Sequence, residues 1–386
     1  MKTIRLYEED VRLGHFTARV QQCAEADGGW EIVLDRTAFY PGGGGQPCDR
    51  GTLERRDVLS VREEDGVIFH KVEMPLLPGE EIRGQVDMAH RIDYAQQHTA
   101  DHILTGVIHR RYGYDNVGFH MGRESTFIDL DGVLDEGELE EMERVANEVL
   151  WMDLPVQVSW PDSAALARLD YRSKKELHGA VRIVTIPGVD VCACCGVHMR
   201  STGEVGCIKI LSCTRLRGGV RIEYVAGRRA YACFAALQDQ NRLISVALSA
   251  KPLRTAEAVR RLRDERDALQ MRCARLEEAH CTAVAQQLRG RGDVLWFEEG
   301  LESDGVRRLA DAIARQCGGM ALVCSGEDGA GYRYALAQKD GDVRVWGAAM
   351  NRALQGRGGG RDGCMMQGSL AAGRGQIEDY FHQTEK

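Results

Sequence analysis

The sequence predicts an α+β multidomain protein in four parts: a small N-terminal β-barrel, a mixed α+β core, a helical or coiled-coil spacer, and a C-terminal α/β domain. Three observations predict it. Over residues 1–90, short β-branched runs alternate with Gly, Pro and Asp turns. Over residues 91–235, helical apolar spacing alternates with further strand-like runs. From Arg254 to Arg289 there is neither proline nor glycine, and a strand, helix, strand order follows. By length alone, 386 residues suit two or three domains.

The elements follow in order. Trp30–Leu34, Val58–Val61 and Gly66–Val72 read as strands of the barrel. From Met88 to about Tyr112 the pattern turns helical, with Ile103, Leu104, Val107 and Ile108 on one face. A strand is expected at Ser125–Leu130, a helix at Glu136–Trp151 and a strand at Pro155–Trp160. Further strands are expected at Arg182–Ile186, Gly206–Ser212 and Gly219–Val225. In the spacer, residues 236–291, Leu262, Leu269 and Leu276 recur every seven residues among Arg and Glu. That spacing predicts a helical hairpin or short coiled coil. A homodimer through this spacer or through the last domain is expected. In residues 292–386 the order is Val294–Phe297, Val306–Gln316 and Met320–Ser325, an α/β pattern.

Composition narrows the function. A hydrophobic fraction of 44% and a charged fraction of 28% are those of a globular protein. They exclude collagen-like, purely coiled-coil and wholly disordered chains. No apolar run approaches the roughly 18 residues of a membrane span, and MKTIRLYEED lacks the apolar stretch of a signal peptide. A cytoplasmic protein with no membrane partner is expected. Thirteen cysteines in such a chain read as thiols or metal ligands rather than disulfides. The net charge of −8 argues against indiscriminate nucleic-acid binding. Basic stretches persist, however: residues 251–291 hold ten Lys/Arg against six Asp/Glu, and residues 209–229 hold six against one. Local basic patches on an acidic chain suit one defined polyanionic partner.

Four segments carry chemistry. In His98-Thr-Ala-Asp-His102 the two histidines stand four apart, one above the other on a helix face. Both imidazoles can then reach one ion at a Zn–N distance of about 2.0–2.1 Å. Cys192-Ala-Cys194-Cys195-Gly-Val-His198 packs three thiols and an imidazole into one turn. Spacing alone leaves all three cysteines open as ligands. Phe39 to Gly51 contains four consecutive glycines, which permit close backbone approach and could shape a pocket wall. Its spacing is not that of a phosphate-binding loop. Asn351 to Gly368 interleaves glycines with Arg352, Arg357 and Arg361, a flexible cationic backbone suited to phosphate contacts.

These residues resemble a known family. Gln97-His98-Thr-Ala-Asp-His102-Ile-Leu resembles the first metal motif of the alanyl-tRNA synthetase editing domain and its free-standing AlaX-type relatives. Cys194 through His198 to Gly206, with Thr202-Gly-Glu204, resembles the second metal motif. FYPGGGGQPCDRG is similar to the glycine-rich motif of the N-terminal barrel, and Asn116-Val-Gly-Phe-His120-Met-Gly122 to a pocket-lining segment. GRGGGRDGCMMQG is similar to the tRNA-contacting C-terminal domain of alanyl-tRNA synthetases, also appended to DHH-type phosphoesterases. Because residue 1 starts almost directly in the barrel, the expectation is the long free-standing editing protein, not a synthetase.

The resemblance implies that residues 91–235 form a zinc-dependent editing domain and residues 292–386 a tRNA-contacting domain. It implies Zn²⁺ held by His98, His102, Cys194 and His198, the family's cysteine standing four before the histidine. It implies deacylation of mischarged tRNA for alanine, chiefly of seryl-esters and secondarily of glycyl-esters. His98, His102, His120 and Gln46 are the expected catalytic residues. Thr99, Gly45, Asp49 and Gly118 are expected to line the substrate pocket, and Arg352, Arg357 and Arg361 to contact tRNA. The alternative is a non-catalytic tRNA-binding protein whose zinc is structural.

Overall fold

A computed structural model describes residues 2–173 and 180–383. The chain divides into two compact units, Met1–Leu243 and Ile244–Lys386.

In the first unit six strands close into a barrel. Around it run His15–Ala26, Gly29–Leu34, Val67–Val72, Arg56–Glu64, Gly51–Leu53 and Glu81–Val86. Alternation along Glu81–Val86 places Ile82, Gly84 and Val86 inward. Gly84 is required there, because a Cβ would stand 2.3 Å from the Phe16 ring. Helix α1, Met88–Tyr112, leaves the barrel with Asp87 capping the amides of Ala89 and His90. It ends at Gly113, whose φ of 76° supplies the left-handed stop. Its middle, from Gln97 to Ile108, is buried throughout. A four-stranded sheet covers it, in the order Ile208–Leu216, Gly219–Ala226, Thr126–Leu130, Asn116–Met121. Helix α2, Glu136–Trp151, begins with an Asp135/Glu138 capping box. A three-stranded sheet orders Gln157–Ser159, Ile183–Ile186 and Asp190–Ala193. Barrel residues such as Ile32 and Leu53 share one apolar core with Ile103, Leu104, Ile128 and Tyr224.

A polar pair is sealed inside this unit. Arg91 is fully buried on α1 and donates to both carboxylate oxygens of Asp49. It also donates to the backbone carbonyls of Val11 and Ala38. Asp49 in turn accepts the Tyr40 amide. The pair ties the glycine-rich loop to the start of α1.

His70, fully buried in the barrel, meets the Thr37 hydroxyl at 2.8 Å and the Ile32 carbonyl at 3.1 Å. Burial pushes its pKa down to about 4 from the ordinary 6.5. Below pH 6.5 the unfolded chain therefore takes up a proton that the folded chain refuses. Stability is lost as pH falls, over the window from about 6.5 to about 4. Denaturant unfolding at pH 7 and pH 5 should differ by about 2 kcal/mol from this group alone. His70→Gln should remove that part of the slope.

In the second unit a sheet runs Gly292–Phe297, Gly318–Glu327, Gly331–Gln338, Met365–Leu370, Arg357–Gly359. The first pair is parallel and the others antiparallel. Helix Ser303–Cys317 buries Leu309, Ala310 and Ile313 in the core that also takes Cys281, Val284 and Ala285 of helix Thr255–Gln287. The segment Asn351 to Gly368, expected as a flexible backbone, instead enters the sheet. Its glycines allow the strands to close: a Cβ at Gly368 would stand 2.1 Å from the Arg357 carbonyl, and one at Gly358 2.4 Å from that of Gln367. The spacer is broken by a turn at Pro252–Arg254. Leu262, Leu269 and Leu276 are exposed on helix Thr255–Gln287, at 53%, 60% and 62% of their surfaces.

Candidate metal centre

Helix α1 supplies His98 and His102, whose rings lie 5.5 Å apart. The strand Asp190–Ala193 runs toward the helix and points alternate residues at it. Asp190, Cys192 and Cys194 therefore share a face, while Cys195 is exposed. This alternation sets Cys195 apart; of the two thiols on the shared face, Cys192 groups with His102 and Asp190, and Cys194 with all three histidines. The chain then turns and returns His198. Donor atoms of His98, His102, Cys194 and His198 all lie within 4.8 Å of one another. The Cys194 sulfur is 3.3 Å from His98 Nε2 and 3.4 Å from His198 Nε2. An S···N edge of a tetrahedral zinc site is about 3.6 Å from the usual bond lengths. One thiolate and three imidazoles aimed at one point thus fit a tetrahedral, borderline-soft cation.

Neighbouring groups set the rings. His98 Nδ1 donates to Gln46 Oε1 at 2.8 Å, and that oxygen also accepts the Val197 amide. His102 Nδ1 donates to Asp190 Oδ2 at 2.7 Å. In both, Nε2 is left for a metal. His198 Nδ1 is buried with no partner among the described residues. Burial raises the Cys194 thiol pKa, but the His98 and His198 rings and hydrogen bonds from His102 and His198 outweigh it. The net shift is well below the ordinary thiol value, toward the thiolate that a metal takes. Burial raises the Asp190 pKa too, and His102 and Arg172 bring it below the ordinary value.

Two glycines let this geometry form. A Cβ at Gly196 would stand 2.1 Å from the His98 ring and 2.9 Å from Gln46 Oε1. A Cβ at Gly45 would stand 2.7 Å from the ring of Phe119, which stacks on His98 at 5.1 Å. Gly196→Ala should therefore push His98 off its position. The expected result is metal binding weakened by at least tenfold in a chelator competition, with the fold retained by circular dichroism.

The expected site residues divide. His98, His102, Cys194, His198 and Gln46 come together, with Gly45 against Phe119. Asp49 does not face the cluster with a free carboxylate; both oxygens serve Arg91. The Thr99 hydroxyl is buried and spent, donating to the Ala95 carbonyl and accepting the Met199 amide. His120 is exposed, and strand alternation puts it on the side of Asn116–Met121 opposite Phe119. Gly118 shares that side and lies against Asp129. Arg352, Arg357 and Arg361 belong to the second unit and are exposed. Asp190 and Arg172 were not among the expected residues, and Phe119 was covered only by the pocket-lining segment Asn116 to Gly122.

The barrel and the mixed core that carries the Cys-His₃ cluster each contain a segment that matches a family model of tRNA-synthetase domains. Residues 7–90 match the model described as tRNA synthetases class II (A). Residues 181–223 match the threonyl and alanyl tRNA synthetase second additional domain. Among curated proteins, the alanine–tRNA ligase of Methanopyrus kandleri is 33% identical over 346 residues, 83% of this chain and 37% of the ligase. That of Halobacterium salinarum is 31% identical over 366 residues, 88% of this chain and 39% of the ligase. The alanyl-tRNA editing protein Aarsd1-B of Xenopus laevis is 28% identical over 343 residues, 87% of this chain and 83% of the frog protein. The chain thus spans well under half of the ligases it matches and most of the editing protein. It resembles the AlaX-type alanyl-tRNA editing proteins, relatives of alanyl-tRNA synthetase.

Proposed function

We propose that this protein is a trans-editing hydrolase of the cytoplasm that deacylates mischarged tRNA for alanine, with seryl-tRNA as the chief substrate and glycyl-tRNA as a secondary one. One observation carries the reading: the convergence of His98, His102, Cys194 and His198, with Gln46 and Asp190 orienting two of the rings. Zinc is the metal that this donor set favours, and when bound it would supply Lewis-acid polarisation and orientation of the aminoacyl ester. The chain's own residues do the rest. Gln46 holds the His98 ring, and Phe119 forms an apolar wall against it. The rings of His98, His102 and His198 are buried, so an ester that reaches the ion would be partly dehydrated there. An aminoacyl ester is already activated, so orientation there carries much of the rate. Discrimination of serine from alanine would come from pairing the extra hydroxyl, since a site built for it leaves polar groups unpaired with alanine.

A second reading has its own support. Four protein donors fill a tetrahedral ion, which is the closed shell of a structural site. Under that reading the chain binds tRNA without hydrolysing it. Release of serine from seryl-tRNA at catalytic turnover decides between the two.

In the second unit, exposed Arg352, Arg357 and Arg361 are proposed tRNA contacts. Replacing all three by Ala should raise the Michaelis constant, leave the turnover number unchanged, and flatten the log–log salt slope by about 2–3. An unchanged salt slope would remove these residues from the interface. A homodimer is part of the same proposal, through the uncovered Leu262/Leu269/Leu276 stripe or the last domain. Its check is the mass in solution of Leu269→Glu.

A further inference from the structure

We propose that Asp190, clamped by Arg172, is a positioning residue that presents His102 to the metal. This rests on reading the Cys-His₃ cluster as a metal site. His102 can offer Nε2 only if its proton sits on Nδ1 and its ring is held. Asp190 does both. Its Oδ2 accepts from His102 Nδ1 at 2.7 Å, and its side chain is only 2% exposed.

The carboxylate cannot turn away, because its other oxygen accepts from Arg172 Nε at 2.9 Å. Arg172 is itself anchored beside the strand Asp190–Ala193. Its amide donates to the Val191 carbonyl, and its own carbonyl accepts from the Ala193 amide. Its Nη2 also donates to the Thr105 hydroxyl on α1 at 2.9 Å. Gly106 completes the arrangement. A Cβ there would stand 2.8 Å from the Val189 carbonyl and 2.9 Å from Asp190 Cβ, so only glycine lets strand and helix approach this closely.

The two oriented rings are thus held differently. His98 rests on a neutral amide oxygen, His102 on a clamped carboxylate. An amide cannot replace that carboxylate. Asn offers one oxygen to two N–H donors and turns an NH₂ toward the other.

The test uses the full chain and its Asp190→Asn variant, with zinc as the probe. Zinc affinity is read by competition with a chromophoric chelator. The His102 tautomer is read in zinc-loaded protein by long-range ¹H–¹⁵N correlation after selective ¹⁵N-histidine labelling. The expected result is zinc bound about 10–100-fold more weakly, with the Nδ1–H preference of His102 lost. Arg172→Met keeps the Asp190–His102 bond and frees only the far oxygen. It should show a smaller loss of affinity, and it serves if Asp190→Asn fails to fold. A merely structural role would lower the melting temperature of metal-free protein and leave zinc affinity and tautomer unmoved. Parental affinity together with an unmoved tautomer in the folded variant overturns the proposal. Failure of the parent chain to bind any metal would instead overturn the reading beneath it.

Discussion

Replacing Cys194 by Ser, or His98 by Ala, is expected to empty the metal centre and abolish deacylation, while the barrel and both units stay folded. Each change removes one of four donors that lie within 4.8 Å of one another. The three histidines of the cluster are buried, and the rings of His98 and His102 are oriented by Gln46 and Asp190. Loss of activity by a factor of about 10³ or more is the scale for removing such electrostatic stabilisation. Metal analysis of the purified variants and single-turnover deacylation check it. Because alternation turns Cys195 outward, Cys195→Ser should keep both metal and activity. Full metal content in Cys194→Ser would show that the wrong cysteine has been assigned.

Arg91→Ala is the change with the largest expected effect on stability. The guanidinium is fully buried and faces the Asp49 carboxylate, which is 2% exposed. Truncating it strands a buried carboxylate and leaves the Val11 and Ala38 carbonyls without that donor. The cost of breaking a buried pair is about 3–5 kcal/mol. Urea unfolding followed by far-ultraviolet circular dichroism should show it. Replacing both partners by apolar residues of similar volume should cost less, because no unpaired charge is then left inside. An Arg91→Ala midpoint equal to that of the parent would show that the pair adds nothing.

Much of this arrangement was legible in the sequence, for local reasons. The expected helices Met88–Tyr112 and Glu136–Trp151 occur with those bounds, because Asp87, Gly113 and the Asp135/Glu138 box mark their ends in the chain itself. The three histidines and the cysteine-bearing turn were legible because two histidines sit at helical spacing and the third shares a turn with the thiols, whereas the choice of Cys194 came from the resemblance and not from spacing. What was hidden depends on distant partners. Nothing near His102 says that a carboxylate 88 residues away will hold its ring. The pocket roles expected of Asp49 and Thr99 failed to account for Arg91 and the Met199 amide, which take up their polar atoms. Which side of Asn116–Met121 meets His98 depends on that strand's placement, which puts Phe119 against the ring and His120 on the other side. The arginine–glycine segment looked flexible because composition records glycine's freedom but not the close strand contacts that use it.

Under the proposed function, the Cys-His₃ cluster makes this chain a deacylase that spares the correct product. The most direct test of that reading is the single-turnover deacylation of seryl-, glycyl- and alanyl-tRNA for alanine by metal-loaded protein, with metal content measured on the same sample. The expected result is about one zinc per chain and hydrolysis of seryl-tRNA at least about a hundredfold faster than alanyl-tRNA, well within what one paired hydroxyl supports. Equal rates on seryl- and alanyl-tRNA, or no hydrolysis of either by fully zinc-loaded protein, would contradict it.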